Sequence, residues 1–590
     1  METITDKFTI TKKDDYILGV HKSDSGYSFA IVSKEKNITL VIFDSDRNKP
    51  EYVINVDETY KTGDVFSFNL NGVNLEGFSY YYLENEKVLV DPYATLLSGV
   101  SDFDEKLNSK IDTTLCAKIC NSGYDWKDDV RPRIPKEDVI LYKLHPRGFT
   151  KSNTSKVKNP GTFKGITEKI NHIKKLGVNA VELMPSYEFA GFDFGINYWG
   201  YSEGFYFSPK AAYTSVYGVK DDYTAEFKDM VRIFHKNNIE VYMEFYFPKD
   251  TYSGMIVDCI RFWKKEFHID GAHLLCDSRV SRLLADDPYL ADIKLIYGSW
   301  DEEGRNANLF DYNENYEMIV RRFLKGDENM LRDFSEAFRK KPRFSTNINF
   351  VADNNGFTLM DVYSYDRKHN EDNNENNKDG KDYNNSWNCG EEGNSRNRRV
   401  IQLRTRNRKN AMAILLTSQG IPLIYAGDEF GNSQNGNNNA YNQDNEVGWV
   451  DWSAFAKNRK FFSFVCELID FRKKHKILHT AGELMQCDYK YYGLPDISYH
   501  ADKAWYPEME HYNRHLGIML CGKYAGDADD IYIGANMHWE EHELGLPKIP
   551  DKKWKKVIDT GENDISDTDN NKTVTVEPRS VVIFVSEKNS

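Results

Sequence analysis

The stretch His268-Ile-Asp-Gly-Ala-His-Leu-Leu-Cys-Asp277 reads as a short buried strand: an Asp-Gly turn, then an apolar run that ends on a polar residue. In a β/α barrel the C-terminal end of such a strand faces the active site, so the residues standing there decide the chemistry. Working outward, residues 139–144, 178–183 and 239–247 read as earlier apolar strands, and 162–176, 224–237 and 254–266 have helical period. Beyond it, 293–297, 344–352 and 421–426 are further strand candidates. Strands alternating with helices predict parallel pairing with right-handed crossovers. At this length the expectation is a (β/α)8 TIM barrel over residues 138–479.

The flanks have a different texture. Residues 1–100 carry short alternating stretches at 27–32, 38–43, 65–70, 77–83 and 88–90, separated by turn signals, and close on Asp91-Pro92-Tyr93-Ala94. This predicts an N-terminal β-sandwich, with 101–137 as a linker. After a helix at 460–475, residues 480–590 return to strands at 530–536, 573–576 and 580–585, which predicts a C-terminal β-sandwich. The expected class is therefore multidomain α/β. The Asn/Asp/Gly-rich stretch 370–388 reads as a long loop, a lid or rim and not scaffold.

At 590 residues the chain is long enough for a large core with satellite domains, and 40% hydrophobic with 28% charged residues is a globular composition. A formal charge of −14 argues against a nucleic-acid or anionic-membrane partner and fits a neutral one. No apolar run reaches the roughly 18 residues of a membrane helix. The start has no basic region followed by an apolar one, so the expected location is cytoplasmic. Of the eight cysteines only Cys116 and Cys120 are close, without the second pair a zinc site needs, and free thiols are expected. No run matches an EF-hand, and no metal or cofactor is expected.

Several stretches resemble the α-amylase clan of glycoside hydrolases, in particular its isoamylase and bacterial glycogen-debranching (pullulanase-like) branch. They are Tyr142-Lys-Leu-His-Pro-Arg-Gly-Phe-Thr, Leu176-Gly-Val-Asn-Ala-Val-Glu-Leu-Met-Pro, Asn197-Tyr-Trp-Gly-Tyr, Gly356-Phe-Thr-Leu, and Gly420-Ile-Pro-Leu-Ile-Tyr-Ala-Gly-Asp-Glu-Phe-Gly running on into Gly436-Asn-Asn-Asn-Ala-Tyr. They fall in the family's order, and the flanking β domains fit the same branch. The resemblance implies a glycogen-binding-like N-terminal domain and a groove for α-glucan.

Retaining cleavage of a glucosidic bond needs two carboxyl groups about 5–5.5 Å apart, a nucleophile and an acid. In the resembled family the nucleophilic Asp ends strand four two residues after an Arg, the acid Glu ends strand five, and a His-Asp pair ends strand seven. On those positions this chain has Leu275 after His273, Gly298, and Asn354-Asn355. Strand three ends in Pro248-Lys249 in place of Asn-His. Neither Leu nor Gly can attack a carbon or transfer a proton, and Asn carries no charge to stabilise an oxocarbenium ion. No catalytic residue is therefore expected.

Asp277, Asp301 and Asp353 are the fallback acids, although strand-end or helix-capping roles explain them as well. Sugar-contact candidates are Tyr198, Trp199, Tyr201, His273, Trp300 and Asn354, each of which could equally be packing of the barrel rim. Three functions follow. The first is a non-catalytic isoamylase-like protein that binds α-glucan (glycogen, starch or maltooligosaccharide) or partners an active debranching enzyme. The second is an active α-1,6-glucosidase with relocated carboxylates. The third is a scaffold without sugar affinity.

Overall fold

Eight short strands, most of them rich in Val, Ile, Leu or aromatic residues, close a parallel barrel in chain order: Leu141–Leu144, Ala180–Leu183, Glu240–Tyr246, Gly271–Leu275, Lys294–Tyr297, Leu309–Tyr312, Thr346–Asn349 and Ile421–Tyr425. They are called strands one to eight below. The computed structural model describes residues 8–44, 49–99, 115–120, 123–190, 197–216, 222–561 and 572–588. Seven of the eight strands lie where the sequence pattern puts them; the sixth, Leu-Phe-Asp-Tyr, is not among those read from the pattern, because its apolar pair Leu309-Phe310 is flanked by Asn308 and Asp311.

Alternation along each strand sends one set of side chains into the barrel and the other toward the helices. The interior set includes Leu141, Ala180, Tyr242, Ile296, Phe310, Ile348 and Leu423, a dry apolar layer. Below it Tyr242 donates its hydroxyl to Glu240 at 2.7 Å, Lys294 pairs with the same carboxylate, and the Ile134 amide donates to it at 2.8 Å, which closes the N-terminal face. The outward set packs on helices such as Ala225–Lys236, Ser253–Glu266, Glu314–Lys325, Arg398–Thr417 and Arg459–Lys474.

Residues 162–176 are two helices, not one. Phe163–Glu168 and Ile170–Leu176 are separated by Lys169, which leaves helical geometry at φ −95° and ψ 4°. Its ammonium reaches Ser155 O at 2.6 Å and stands 3.7 Å from the centre of the Trp452 ring, which pulls the backbone out of register.

The N-terminal domain is a two-sheet sandwich, and one sheet reaches past residue 100: Cys116–Lys118 pairs with Leu97–Ser98 and with Ser79 and Tyr80. The span expected to be a linker therefore holds a strand of the sandwich, while 101–114 lie outside the described residues. Its last part is bound to the barrel. Trp126 stacks on His268 at 3.7 Å, and Arg131 pairs with Asp270 at 2.9 Å. The C-terminal domain has a five-stranded antiparallel sheet whose edge is Ile497–His500, faced by the pair His542–Gly545 and Thr573–Val576. Met519, Tyr532, Leu544, Val576 and Phe584 fill the space between. All eight cysteines are free, and no helix among the described residues is long and apolar enough to cross a membrane.

Candidate functional site at the barrel mouth

One step above the apolar layer the inward-facing residues become charged. Strands one to four contribute Lys143, Glu182, Glu244 and His273, all at most 4% exposed. Lys143 Nζ lies 2.7 Å from Glu244 Oε1 and 3.9 Å from Glu182 Oε1. His273 Nδ1 lies 2.7 Å from Glu182 Oε1 and 3.1 Å from Glu244 Oε1. Tyr312 on strand six donates its hydroxyl to Asp353 at 3.0 Å, and Lys143 Nζ stands 3.3 Å from that hydroxyl. Tyr201 donates to Glu244 Oε2 at 2.6 Å and receives Asn354 Nδ2 at 3.2 Å, so the rim is tied to the buried charges.

The charges in this cluster are mutually dependent. Burial alone would lower the His273 pKa, but Glu182 and Glu244 outweigh it and hold the imidazolium up to about 9. Lys143 is likewise raised against the effect of burial by Glu244 and Glu182. Burial pushes Glu244 up, yet Lys143 and His273 bring it well below the usual carboxylate range. Glu182 is raised, because its burial is only partly offset by His273 and Lys143. Ligand atoms of Glu182, Glu244 and His273 lie within 4.8 Å of one another, a donor set that could hold a metal. The cation such a set needs is already supplied by Lys143 and protonated His273, and a divalent ion would have to displace that proton beside an ammonium. The donors fit the ion pairs on hand better than a metal.

Above the cluster strand four ends in half-buried Leu275, and strand five runs into exposed Gly298. Both border a cavity of about 540 Å³ shared with His273, Ser299, Tyr312 and Asn313. A side chain at position 298 would meet nothing within 4 Å. Asp311 also faces this cavity; burial pushes its carboxyl up to about 6.

The three fallback acids have different surroundings. Asp277 caps the helix Ser278–Ala285, accepting the Arg279 amide at 3.0 Å and its Nε at 3.1 Å. Asp301 is exposed and receives only Ser299 Oγ, at 3.3 Å, among the described hydrogen bonds. Asp353 is buried, accepting Tyr312 on one oxygen and the Asn355 amide, at 3.0 Å, on the other.

Of the sugar-contact candidates, Tyr201, His273 and Asn354 meet in the network just described. Trp199 is buried against Tyr201, ring centres 6.1 Å apart. Tyr198 is buried behind them, stacked on His145 at 3.9 Å and donating to Gly448 O at 3.0 Å. Trp300 is buried beside strand six, its indole donating to Phe310 O at 3.0 Å. Lys143, Glu182, Glu244 and Tyr312 were not singled out from the sequence. Their signal was there: charged or phenolic residues at inward-facing positions of strands that are otherwise largely apolar.

The rim loops 370–388 and 434–445 are stitched together by amides. Asn370 Nδ2 donates to Asn438 Oδ1 at 2.8 Å, the Asn438 amide returns to Asn370 Oδ1 at 3.0 Å, and Asn437 Nδ2 donates to Asn373 Oδ1 at 2.8 Å. Asp379 Oδ2 gathers Asn373 Nδ2 and Asn439 Nδ2 at 2.7 and 2.9 Å.

Residues 143–249 match the family described as alpha amylase, catalytic domain, a segment that spans strands one to three. The whole fold is similar to the Group B Streptococcus pullulanase SAP solved in complex with maltotetraose (TM-score 0.75, 15% identity, covering 97% of this chain and 88% of that one). It is similar also to a pullulanase from Bacillus acidopullulyticus (TM-score 0.71, 18% identity, 97% and 75%). In sequence the chain is 29% identical to the chloroplastic isoamylase 1 of Oryza sativa subsp. japonica across 92% of its own length and 81% of the relative's. It is 30% identical to a glycogen operon protein GlgX homolog of Mycobacterium bovis across 80% of both chains. With a closed barrel, its flanking β domains and this degree of identity over most of its length, the chain belongs to the isoamylase and GlgX family, the debranching branch of the proteins built on the α-amylase catalytic domain.

Proposed function

We propose that this protein is a member of the isoamylase and GlgX family that binds α-glucan without hydrolysing it, acting in the cytoplasm beside an active debranching enzyme. One observation carries the reading: strands four and five lead to Leu275 and Gly298, which border an open polar cavity where retaining hydrolysis needs two carboxyl groups. Two carboxylates line this cavity: Asp311, which accepts the Trp300 amide at 3.2 Å, and exposed Glu314. Both stand on strand six and the helix after it, not at the ends of strands four and five. The other carboxylates near the mouth are engaged. Glu182 and Glu244 lie beneath the mouth in ion pairs with Lys143 and His273, Asp277 caps a helix, and Asp353 is held by Tyr312 and the Asn355 amide. A cavity of about 540 Å³ has the size of a small-ligand site. Its polar lining and the neighbouring Tyr201 and Asn354 suit sugar hydroxyls. Eight free thiols suit a reducing compartment.

The test is calorimetric titration with a branched maltooligosaccharide and with glycogen, with reducing ends assayed in the same samples. Binding without released ends is the expected result. Released ends that vanish in Asp277→Asn would overturn the proposal in favour of a relocated acid pair, and the absence of both binding and release would leave a scaffold.

A further inference from the structure

The C-terminal domain exposes an unusual number of rings on one short segment. Tyr489, Tyr491 and Tyr492 are 48%, 93% and 40% exposed. They sit on the turn at 488–493, which is fixed from below. Asp488 accepts the amides of Tyr492 and Gly493 at 2.8 Å each and the Tyr524 hydroxyl at 2.6 Å. Tyr489 and Tyr492 both pack on Tyr524, ring centres 4.8 and 5.0 Å away.

Tyr491 has φ +56°, a left-handed conformation that is strained for a bulky aromatic residue and that Gly or Asn would adopt more easily. Its ring is almost wholly in solvent, so no internal packing offsets the strain. Strain and exposure together indicate a contact outside the chain.

We infer that this turn is a second α-glucan site, a stacking platform for a neutral glucose chain. The inference rests on the glucan-binding reading of the barrel. Two features favour sugar over a protein surface. The rings are facets, inclined 52° and 68° to Tyr524, and not one flat apolar patch. Ammonium groups stand among them: Lys490 Nζ is 5.6 Å from the Tyr524 ring centre, and Lys523 Nζ is 6.0 Å from that of Tyr492. A protein partner would have to strip water from both cations, whereas glucan hydroxyls can hydrogen-bond to them with solvent still present.

The platform is remote from the barrel mouth. Its neighbour Gly522–Ala525 packs on Lys476–Leu478, just past the C-terminus of helix Arg459–Lys474, and the Ile477 amide donates to Asp527 at 2.9 Å. Helices of a β/α barrel run opposite to the strands, so this helix end lies at the N-terminal face, away from Leu275 and Gly298. One short oligosaccharide cannot span both places, but a branched polymer can, and two anchors on one polymer multiply their effect.

The experiment is affinity electrophoresis in glycogen-containing gels, paired with calorimetry on maltotriose, for the parent, for Tyr491→Ala/Tyr492→Ala and for Trp199→Ala/Tyr201→Ala. Tyr492 packs on Tyr524, so matched thermal melts check the fold of the first variant. The expected result is glycogen affinity weakened about tenfold in Tyr491→Ala/Tyr492→Ala, with maltotriose binding at the mouth unchanged. Equal glycogen retardation of that variant and the parent would overturn the inference while leaving the barrel reading intact. A parent that neither enters glycogen complexes nor binds maltotriose would overturn both.

Discussion

Lys143 Nζ and Glu244 Oε1 face each other across the barrel interior at 2.7 Å, on strands one and three, with both side chains almost wholly buried. Removing Lys143 leaves two buried carboxylates, Glu182 and Glu244, sharing the single His273 imidazolium, so Lys143→Met is expected to cost about 3 kcal/mol in urea unfolding. The double variant Lys143→Met/Glu244→Gln is expected to regain a large part of that loss, because one of the two carboxylates is gone. A double variant no more stable than Lys143→Met would refute the pairing as the source of the effect.

The His273 imidazolium gives the fold a pH dependence of definite sign. Its folded-state pKa of about 9 stands above the ordinary 6.5, so the native state holds the proton more tightly than the unfolded chain. The associated stabilisation, on the order of 3 kcal/mol, is fully present below about pH 6.5 and is lost as pH rises to about 9. Urea midpoints measured across that window are expected to fall in the parent and to fall much less in His273→Gln. A residual slope is expected from His235, which is raised against its own burial by Asp270 and Asp129.

Gly298→Glu is expected to fold with stability within about 0.5 kcal/mol of the parent, since the new side chain enters open space. Neither it nor Leu275→Asp alone is expected to release reducing ends from glycogen, because retaining hydrolysis needs two carboxyl groups and each variant supplies one. Thermal melts and a reducing-end assay read both statements.

Asp277→Ala is expected to lower stability by about 1 kcal/mol through loss of the cap on Ser278–Ala285, and Asp277→Asn to change it little, since Asn caps as well. Glucan affinity is expected to be the same in all three proteins. A drop in affinity with unchanged stability would assign Asp277 to the sugar and not to the helix.

Most of the architecture could be read from periodicity, because barrel strands buried on both faces form apolar runs that alternate with amphipathic helices. Strand six escaped because its apolar pair Leu309-Phe310 lies between Asn308 and Asp311, with no longer apolar run around it. The split at Lys169 escaped because its causes, Ser155 O and the Trp452 ring, are tertiary contacts that no local pattern encodes. At the mouth, Leu275 and Gly298 were legible as the residues to which strands four and five lead. The buried tetrad was not, since each charged residue is separated in sequence from the partners that neutralise it: Glu182 is 91 positions from His273. What a lone charge inside an apolar strand does say is that a compensating charge must arrive from another strand.

The amide-stitched rim bears on how fast a ligand can come and go. Asn370, Asn373 and Asp379 of one loop and Asn437, Asn438 and Asn439 of the other are already joined to one another, so neither of these two loops has to fold or swing to admit a ligand. Loops held in this way add no slow ordering step of their own to association, and residence time then rests on the contacts broken on departure. The protein would thus sample many chain ends on a large polymer in quick succession, holding each one briefly.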